Sequence, residues 1–304
     1  MNLLPLLSTP AARFRVSFTA RKPMDLAGIE PLVRSRLGVN LRRACCPFPD
    51  SGKRACEGCA LAKHCLYVTL FGPTTVKARV GAGDPAPTLQ PFVHGVDSVS
   101  GGAELQSGDG ASAVFTLFGP AIQHRTLFME AAASAVLSFP TRIESVTAGH
   151  PENAEGGDSA PLAGWVGGPG AGNGRLTLRF VSPVRLVKDN RVTDRDVTFG
   201  LLASALIRRL RDLKRSYGTD RHMGEMGAGF REAVNAVTIE SNELAWVRRK
   251  RFSRRQGKPV YLDGFVGEIS FDGPHDVFWP LIKAGEFIHV GKSTSSGCGR
   301  IRVV

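Results

Sequence analysis

The sequence lacks a hydrophobic run of the roughly 18 residues that a membrane-spanning helix needs. Its apolar stretch at residues 3–7 is too short for the hydrophobic region of a secretory signal, and no basic residue precedes it. The chain also has no Gly-x-x-x-x-Gly-Lys-Ser/Thr motif, which excludes the triphosphate loop of P-loop enzymes. We therefore expect a soluble, cytoplasmic protein without a membrane partner.

Acidic residues are also scarce. The chain has 27 Asp and Glu residues but 39 Lys and Arg residues, which gives a net charge of +12. This excess predicts an acidic partner, most often a nucleic acid, with an anionic membrane surface as the alternative. Arginine outnumbers lysine in the basic clusters, and its planar guanidinium suits phosphates and base edges. A basic surface that only keeps the protein soluble is the other interpretation.

The order of the predicted elements indicates an α+β fold. In the first half, the hydrophobic pattern predicts strands at 13–20 and 113–118 and helices at 29–44 and 125–137, while 66–72 fits either type. In the second half, it predicts strands at 175–182, 245–252, 261–271 and 286–290, and helices at 197–217 and 276–284. The second order, β-α-β-β-α-β, is the ferredoxin-like pattern, and the first half fits it less cleanly. We expect two tandem ferredoxin-like (RRM-like) domains, at 1–160 and 175–304, joined by a Gly-, Ala- and Pro-rich stretch.

A glycine-rich loop lies at the C-terminal end of the chain, after the strand predicted at 286–290. Glycine allows backbone amides to approach an anion, and the neighbouring hydroxyls and cations add donors. This composition suits a phosphodiester backbone, although a tight hairpin turn would need the same glycines. The candidate RNA-binding residues of the loop are Gly291, Lys292, Ser293, Gly297, Gly299 and Arg300.

Two further clusters of basic residues are candidates for RNA contact. Seven basic residues fall within the thirteen positions 246–258, interleaved with Trp246 and Phe252, and the arginines among them are Arg248, Arg249, Arg251, Arg254 and Arg255. On the helix predicted at 197–217, helical spacing puts Arg208, Arg211 and Arg215 on one face. The simpler interpretations are a charged strand edge that prevents aggregation and a solvated helix face.

Six cysteines are present, and four of them have a spacing typical of a structural zinc site. Cys46, Cys56, Cys59 and Cys65 form C-x9-C-x2-C-x5-C, and Cys45 and His64 are additional candidates. Disulfides are not expected inside a cell. We predict a structural zinc ion in a cysteine-rich insertion at 45–65, with reduced thiols that bind no metal as the alternative.

Four segments taken together resemble one known family. These are residues 37–43 (Leu-Gly-Val-Asn-Leu-Arg-Arg) followed by 56–59 and 65–71, residues 176–186, residues 265–269, and the terminal loop at 289–300. In this order they are similar to the CRISPR-associated endoribonucleases that process precursor CRISPR RNA, within the RAMP superfamily. The resemblance covers most of the chain.

The resemblance implies two ferredoxin-like domains that bind a CRISPR repeat hairpin, cut it once and hold the mature crRNA in an effector complex with other subunits. It implies metal-independent attack by the ribose 2′-hydroxyl, which leaves a 2′,3′-cyclic phosphate and needs no cofactor for catalysis. Many members have a catalytic histidine near the first helix, but this chain has none before His64. The candidate catalytic residues are therefore Arg34, Arg36, Arg42 and Arg43, in that region, and His289 beside the glycine loop.

The missing histidine leaves a second interpretation open. A non-catalytic crRNA-binding subunit of a CRISPR effector complex would have the same fold and the same basic clusters. A third hypothesis is a zinc-dependent, DNA-binding regulator, which would lose duplex binding on chelation.

Overall fold

A computed structural model describes residues 3–49, 56, 58–72, 89–149, 159–167, 174–220, 223, 227, 229–253 and 257–304. Contacts divide the chain into two compact units, an N-terminal unit of residues 11–150 and a C-terminal unit of residues 1–10 and 151–304. Both units combine helices with antiparallel sheets, which confirms the α+β class. The domain boundaries proposed from the sequence stay predictions. Among the described residues, no helix is long and apolar enough to cross a membrane.

The N-terminal unit contains an antiparallel sheet with three helices from the intervening segments. Its strands are β1 (Pro10–Ala20), β2 (Phe92–Ser98), β3 (Gly110–Phe118) and β4 (Thr141–Gly149), in the order β2-β3-β1-β4. Its helices are α1 (Leu26–Cys45), the short α2 (Leu66–Phe71) and α3 (Arg125–Val136). Strand β1 alternates in burial, and its Phe14 and Phe18 lie in the core together with Phe115 of β3. A two-residue pairing of Met24–Asp25 with Glu104–Leu105 lies just before α1.

Helix α1 begins where Asp25 caps it. The Asp25 carboxylate accepts hydrogen bonds from the amides of Ala27 and Gly28, at 2.9 Å each. The face with Val33, Leu37 and Leu41 is buried in the core. A side chain at Gly38 would press on the ring of Phe71, so this glycine lets α2 pack closely against α1.

The C-terminal unit repeats the element order of the N-terminal unit. Its main strands are β5 (Leu176–Val184), β6 (Thr238–Asn242), β7 (Ala245–Val247), β10 (Gly264–Asp272) and β11 (Ile301–Val303), in the order β6-β10-β5-β11, with β7 also paired to β10. Strands β8 (Lys250–Ser253) and β9 (Lys258–Tyr261) form a separate hairpin. The helices are α4 (Phe199–Tyr217), α5 (Phe230–Asn235) and α6 (Trp279–Ile288). Helix α4 is capped by Thr198 and buries Leu202, Leu206 and Leu210.

Three sequence predictions in this unit are wrong. The strand predicted at 245–252 is split into β7 and β8, which belong to different sheets. Residues 286–288 are the last turn of α6 and not the start of a strand, because Ile288 continues the buried helical row of Leu281 and Ile282. A short apolar run is compatible with a strand or a helix, and here the spacing of the buried residues follows the helical period. Strand β5 continues through Pro183, where the prediction ended it, and the Pro183 carbonyl accepts a hydrogen bond from the Gly299 amide at 3.0 Å. Proline lacks only the donor, so its oxygen can still bond.

Candidate nucleic-acid interface

The glycine-rich loop follows α6 and turns back towards β11. Three of its glycines have positive φ angles, 82° at Gly291, 89° at Gly297 and 83° at Gly299. A Cβ atom at Gly299 would clash with the carbonyl oxygen of Val290, and one at Gly291 would clash with that of Arg185. These glycines are therefore required by the fold of the loop itself.

Most of the polar groups of the loop bond to the end of strand β5. The Lys292 amide donates to the Arg185 carbonyl at 3.0 Å. The buried Ser182 hydroxyl donates to the Gly297 carbonyl at 2.7 Å and accepts from the Arg300 amide at 3.0 Å. Within residues 291–300 only Lys292 is exposed, and Gly291, Ser293 and Ser295 are half-buried. The loop is thus a closed turn whose outer corner could contact a phosphate, while the predicted contacts at Gly297, Gly299 and Arg300 lie inside it.

Sequence reasoning did not identify the residues that hold this loop. Ser182 and Arg185 lie at the end of β5, and the Arg185 guanidinium donates to the Asp263 carbonyl at 2.5 Å. The Asp263 carboxylate in turn accepts from the Arg249 amide at 2.9 Å, which connects the loop to the basic hairpin. The only available signal was the position of Ser182 to Arg185 within the segment that carries the family resemblance.

His289 lies between α6 and the loop and is buried, with 5% of its surface exposed. Its Nδ1 is 3.2 Å from the Cys298 carbonyl oxygen, and its backbone has φ 58° and ψ 160°, a strained conformation for a residue with a side chain. The buried Arg209 donates through Nε to the carbonyl of Ile288 at 3.3 Å, at the end of α6. Desolvation lowers the pKa of Arg209 to about 10. These contacts fix the start of the loop.

The four candidate arginines of α1 lie on two different faces. Arg34 and Arg42 are half-buried and stack on rings of α2, with guanidinium carbons 5.3 Å from the centre of Phe71 and 5.7 Å from that of Tyr67. Arg34 also donates to the side chain of Gln90 at 2.7 Å. Arg36 and Arg43 are exposed and seven residues apart, which puts them on a common face. The structure brings the four residues together in pairs and not as one cluster.

Helix α4 presents the predicted row of arginines around a concave pocket of about 340 Å³. Arg208, Arg211 and Arg215 line it together with Phe230 of α5 and with Asp212, whose carboxylate is 3.5 Å from Arg215. Lys214 of the same helix points the other way, and its buried ammonium pairs with Asp220 at 2.7 Å. The pocket therefore offers three guanidinium groups beside an aromatic ring, a combination suited to a nucleotide.

The basic hairpin β8–β9 exists, but only part of it lies within the described residues. Arg248 is exposed, whereas Arg249 and Arg251 are half-buried. The predictions for Arg254 and Arg255 fall outside the described residues. Nearby, Trp246 packs edge-on against Phe265 with ring centres 5.0 Å apart, which places it against the sheet and not in the solvent.

The four predicted zinc ligands share one cavity in the N-terminal unit, which Cys45 and His64 also line. The hydrogen bond between Cys45 and Cys65 raises the pKa of Cys45 and lowers that of Cys65, to about 6. Burial raises the pKa of Cys56. In the part of the chain that the structure describes, no three potential ligands have the geometry to hold a metal ion.

Comparison with known proteins adds to this picture. Residues 178–301 match the family model of the CRISPR-associated endoribonuclease Cas6, and residues 7–138 match a model described as an N-terminal domain. No curated protein sequence matches the chain.

Several solved structures are similar in fold. Thermus thermophilus Cas6 is 13% identical with a TM-score of 0.55, and the alignment covers 97% of this chain and 99% of that one. A Cas6 product complex is 15% identical with a TM-score of 0.54, over 98% of this chain and 100% of that one. A Cas6-RT-Cas1–Cas2 complex is 13% identical with a TM-score of 0.55, over 97% of this chain and 29% of that one. At these identities the likeness concerns the fold alone.

Proposed function

We propose a function from one premise: the C-terminal part of this chain, residues 178–301, belongs to the family of the CRISPR-associated endoribonuclease Cas6. The sequence resemblance predicted this family, and the match to the family model confirms it. On this premise the protein is an endoribonuclease that cuts CRISPR repeat RNA in precursor transcripts to give mature crRNA. The single observation that carries the proposal is that this match spans β5, the basic elements and the glycine-rich loop. The excess of basic residues, a net charge of +12, supports an RNA partner.

The finer description of the fold is part of the same proposal. Each unit has the element order β-α-β-β-α-β, and in each sheet the first strand lies beside the third and the fourth. This order supports two ferredoxin-like domains, the first with a cysteine-rich insertion between α1 and β2. Such open sheets are common platforms for structured or single-stranded RNA.

The proposed reaction needs no metal. The ribose 2′-hydroxyl loses its proton and attacks the adjacent phosphorus, the 5′-oxygen leaves and takes up a proton, and the products have a 2′,3′-cyclic phosphate and a 5′-hydroxyl. The requirements on the protein are in-line positioning of the scissile bond and positive charge around the phosphate. Arginine cannot be the base, because its guanidinium stays protonated at neutral pH. We assign it to binding the phosphate in the transition state.

Among the candidate catalytic residues, the geometry favours Arg36 and Arg43. Both are exposed on one face of α1 and, within the described part of the chain, neither forms an ion pair. Arg34 and Arg42 stack on α2, and their role is to hold that helix against α1. His289 is buried beside the loop, and its role is to position the loop.

We further propose that the protein binds a repeat hairpin, keeps its cut product and works beside other CRISPR proteins. The three guanidinium groups at the α4 pocket, the hairpin arginines and Lys292 provide many cationic contacts, and each phosphate contact adds to affinity. The similarity in fold to a Cas6 product complex supports retention of the cut product, and the similarity to a Cas6-RT-Cas1–Cas2 complex supports work beside other CRISPR proteins.

One observation favours a second candidate function. Two of the four arginines that stand where relatives have a histidine are stacked on aromatic rings, and His289 is buried. A chain with these constraints could bind crRNA without cutting it, as a subunit of an effector complex.

A cleavage assay separates the two candidates. The purified full chain is incubated with its repeat RNA, and binding and cutting are measured on the same samples. Cutting at one position in each repeat supports the nuclease. Tight binding without a cut supports the RNA-holding subunit, and the absence of both contradicts the proposed function as a whole.

A further inference from the structure

Five of the six cysteines line one cavity of about 200 Å³ in the N-terminal unit. They come from three places in the chain, namely the end of α1, the segment before the short turn Ala62–His64, and the residue just before α2. Five cysteines that are up to 20 residues apart in the sequence therefore meet at one point. None of the five is in a disulfide bond.

The arrangement of the sulfurs suggests a common ligand. Cys56 packs in one small cluster with Cys59 and Cys65, and Cys45 and Cys46 line the same cavity. A lone buried cysteine packs like a small apolar side chain, but packing alone does not explain five thiols around one cavity. Four thiols around one cavity are instead the ligand set of a soft, tetrahedral ion.

The other residues that line the cavity also fit a soft metal ion. Among the lining residues that the structure describes there is no carboxylate, a composition that favours a soft ion over calcium or magnesium. The apolar lining residues Pro47, Phe48, Leu61 and Val68 would shield the ion from water. Arg42 also lines the cavity, and its charge would offset part of the charge of minus two on a zinc ion with four thiolates.

We propose that Cys46, Cys56, Cys59 and Cys65 bind one structural zinc ion, with Cys45 beside them in the same cavity. Among the described residues the sulfurs are not yet at ligand geometry, so binding would draw them inward. The ion would fasten the end of α1 to the start of α2. That is the region where Tyr67 of α2 contacts Arg42, and a fixed α2 keeps the arginine faces of α1 in place.

The test is a metal and thiol count on the full chain. Zinc is measured by elemental mass spectrometry after growth with added zinc, and free thiols are titrated in denaturant with and without a chelator. We expect about one zinc per chain, falling below about a tenth in the double variant Cys56→Ser/Cys59→Ser. The matched control is Cys298→Ser, since Cys298 is buried in the other unit, and it should keep the zinc.

A second measurement guards against a variant that fails to fold. Wild-type protein is stripped of metal and titrated with Co²⁺, and a tetrahedral thiolate site gives visible d–d bands together with thiolate-to-cobalt charge-transfer bands. These bands should disappear when zinc is added, because zinc binds thiolates more tightly. A wild-type protein without zinc, without these bands and with all six thiols free overturns the proposal, as does a disulfide among the five cysteines.

Discussion

The glycine-rich loop allows a prediction about the stability of two glycine variants. The two glycines lie in the C-terminal unit and both have positive φ angles, but their surroundings differ. Gly299 has φ 83°, and a Cβ atom there would clash with the Val290 backbone. Gly257 has φ 66°, and none of the residues that the structure describes lies within 4 Å of its Cβ position. The variants Gly299→Ala and Gly257→Ala therefore share the cost of a left-handed residue and differ in the clash.

The magnitudes follow from these two terms. A left-handed alanine costs about 1–2 kcal/mol, and this is all that we expect for Gly257→Ala. Relief of a clash with backbone atoms adds roughly 1–3 kcal/mol, because the loop cannot move away from β5 without losing hydrogen bonds. The expected loss for Gly299→Ala is about 2–5 kcal/mol.

The assay is urea unfolding followed by tryptophan fluorescence. All three tryptophans, Trp165, Trp246 and Trp279, lie in the C-terminal unit, so the signal reports on the unit that contains both glycines. Equal losses of unfolding free energy in the two variants would refute the reasoning, since they would mean that the Val290 backbone does not confine Gly299.

Two further predictions concern side chains. Because Arg36 and Arg43 are exposed, the double variant Arg36→Ala/Arg43→Ala should lower RNA cleavage at least tenfold with an unchanged melting temperature. Because Arg34 and Arg42 stack on rings of α2, the double variant Arg34→Ala/Arg42→Ala should lower the melting temperature. The opposite pattern would contradict the roles given to the two faces of α1, and cleavage rates with calorimetry on the same samples decide it. Ser182→Ala leaves the buried Arg300 amide without its acceptor and should cost about 1–3 kcal/mol in the same urea assay. A loss below about 0.5 kcal/mol would mean that the hydroxyl does not hold the loop.

The sequence was sufficient for the elements with strong periodicity. Helices α1 and α4 and strands β1 and β3 appear within a few residues of their predicted bounds. The first three have a clear buried face, and β3 is an apolar run that is buried almost throughout. The end of α6 was not predictable in this way. Phe287 and Ile288 are the last residues of a helix that has Pro280 in its first turn, and only the burial of Ile288 with Leu281 shows which period the chain follows.

The sequence composition was sufficient to locate the candidate site, but it did not predict which basic side chains are exposed. The clusters of basic residues are evident in the sequence, but the direction of each side chain depends on tertiary packing. Lys214 and Arg209 lie among the arginines of α4, yet both are buried, one against Asp220 and the other at the end of α6. The spacing of charged residues on a helix predicts which of them share a face. Whether that face is buried depends on contacts with residues far away in the sequence.

The most direct test of the central claim is a cleavage reaction in EDTA with two repeat RNAs that differ by one atom. One has a natural ribose on the 5′ side of the scissile phosphate, and the other has a 2′-deoxyribose there. The proposed chemistry predicts that the natural RNA is cut at one site in EDTA, with a 2′,3′-cyclic phosphate on the upstream product, and that the deoxy RNA is bound but stays intact. Cleavage of the deoxy RNA, or cleavage that stops in EDTA and returns with a divalent cation, would contradict metal-independent attack by the 2′-hydroxyl.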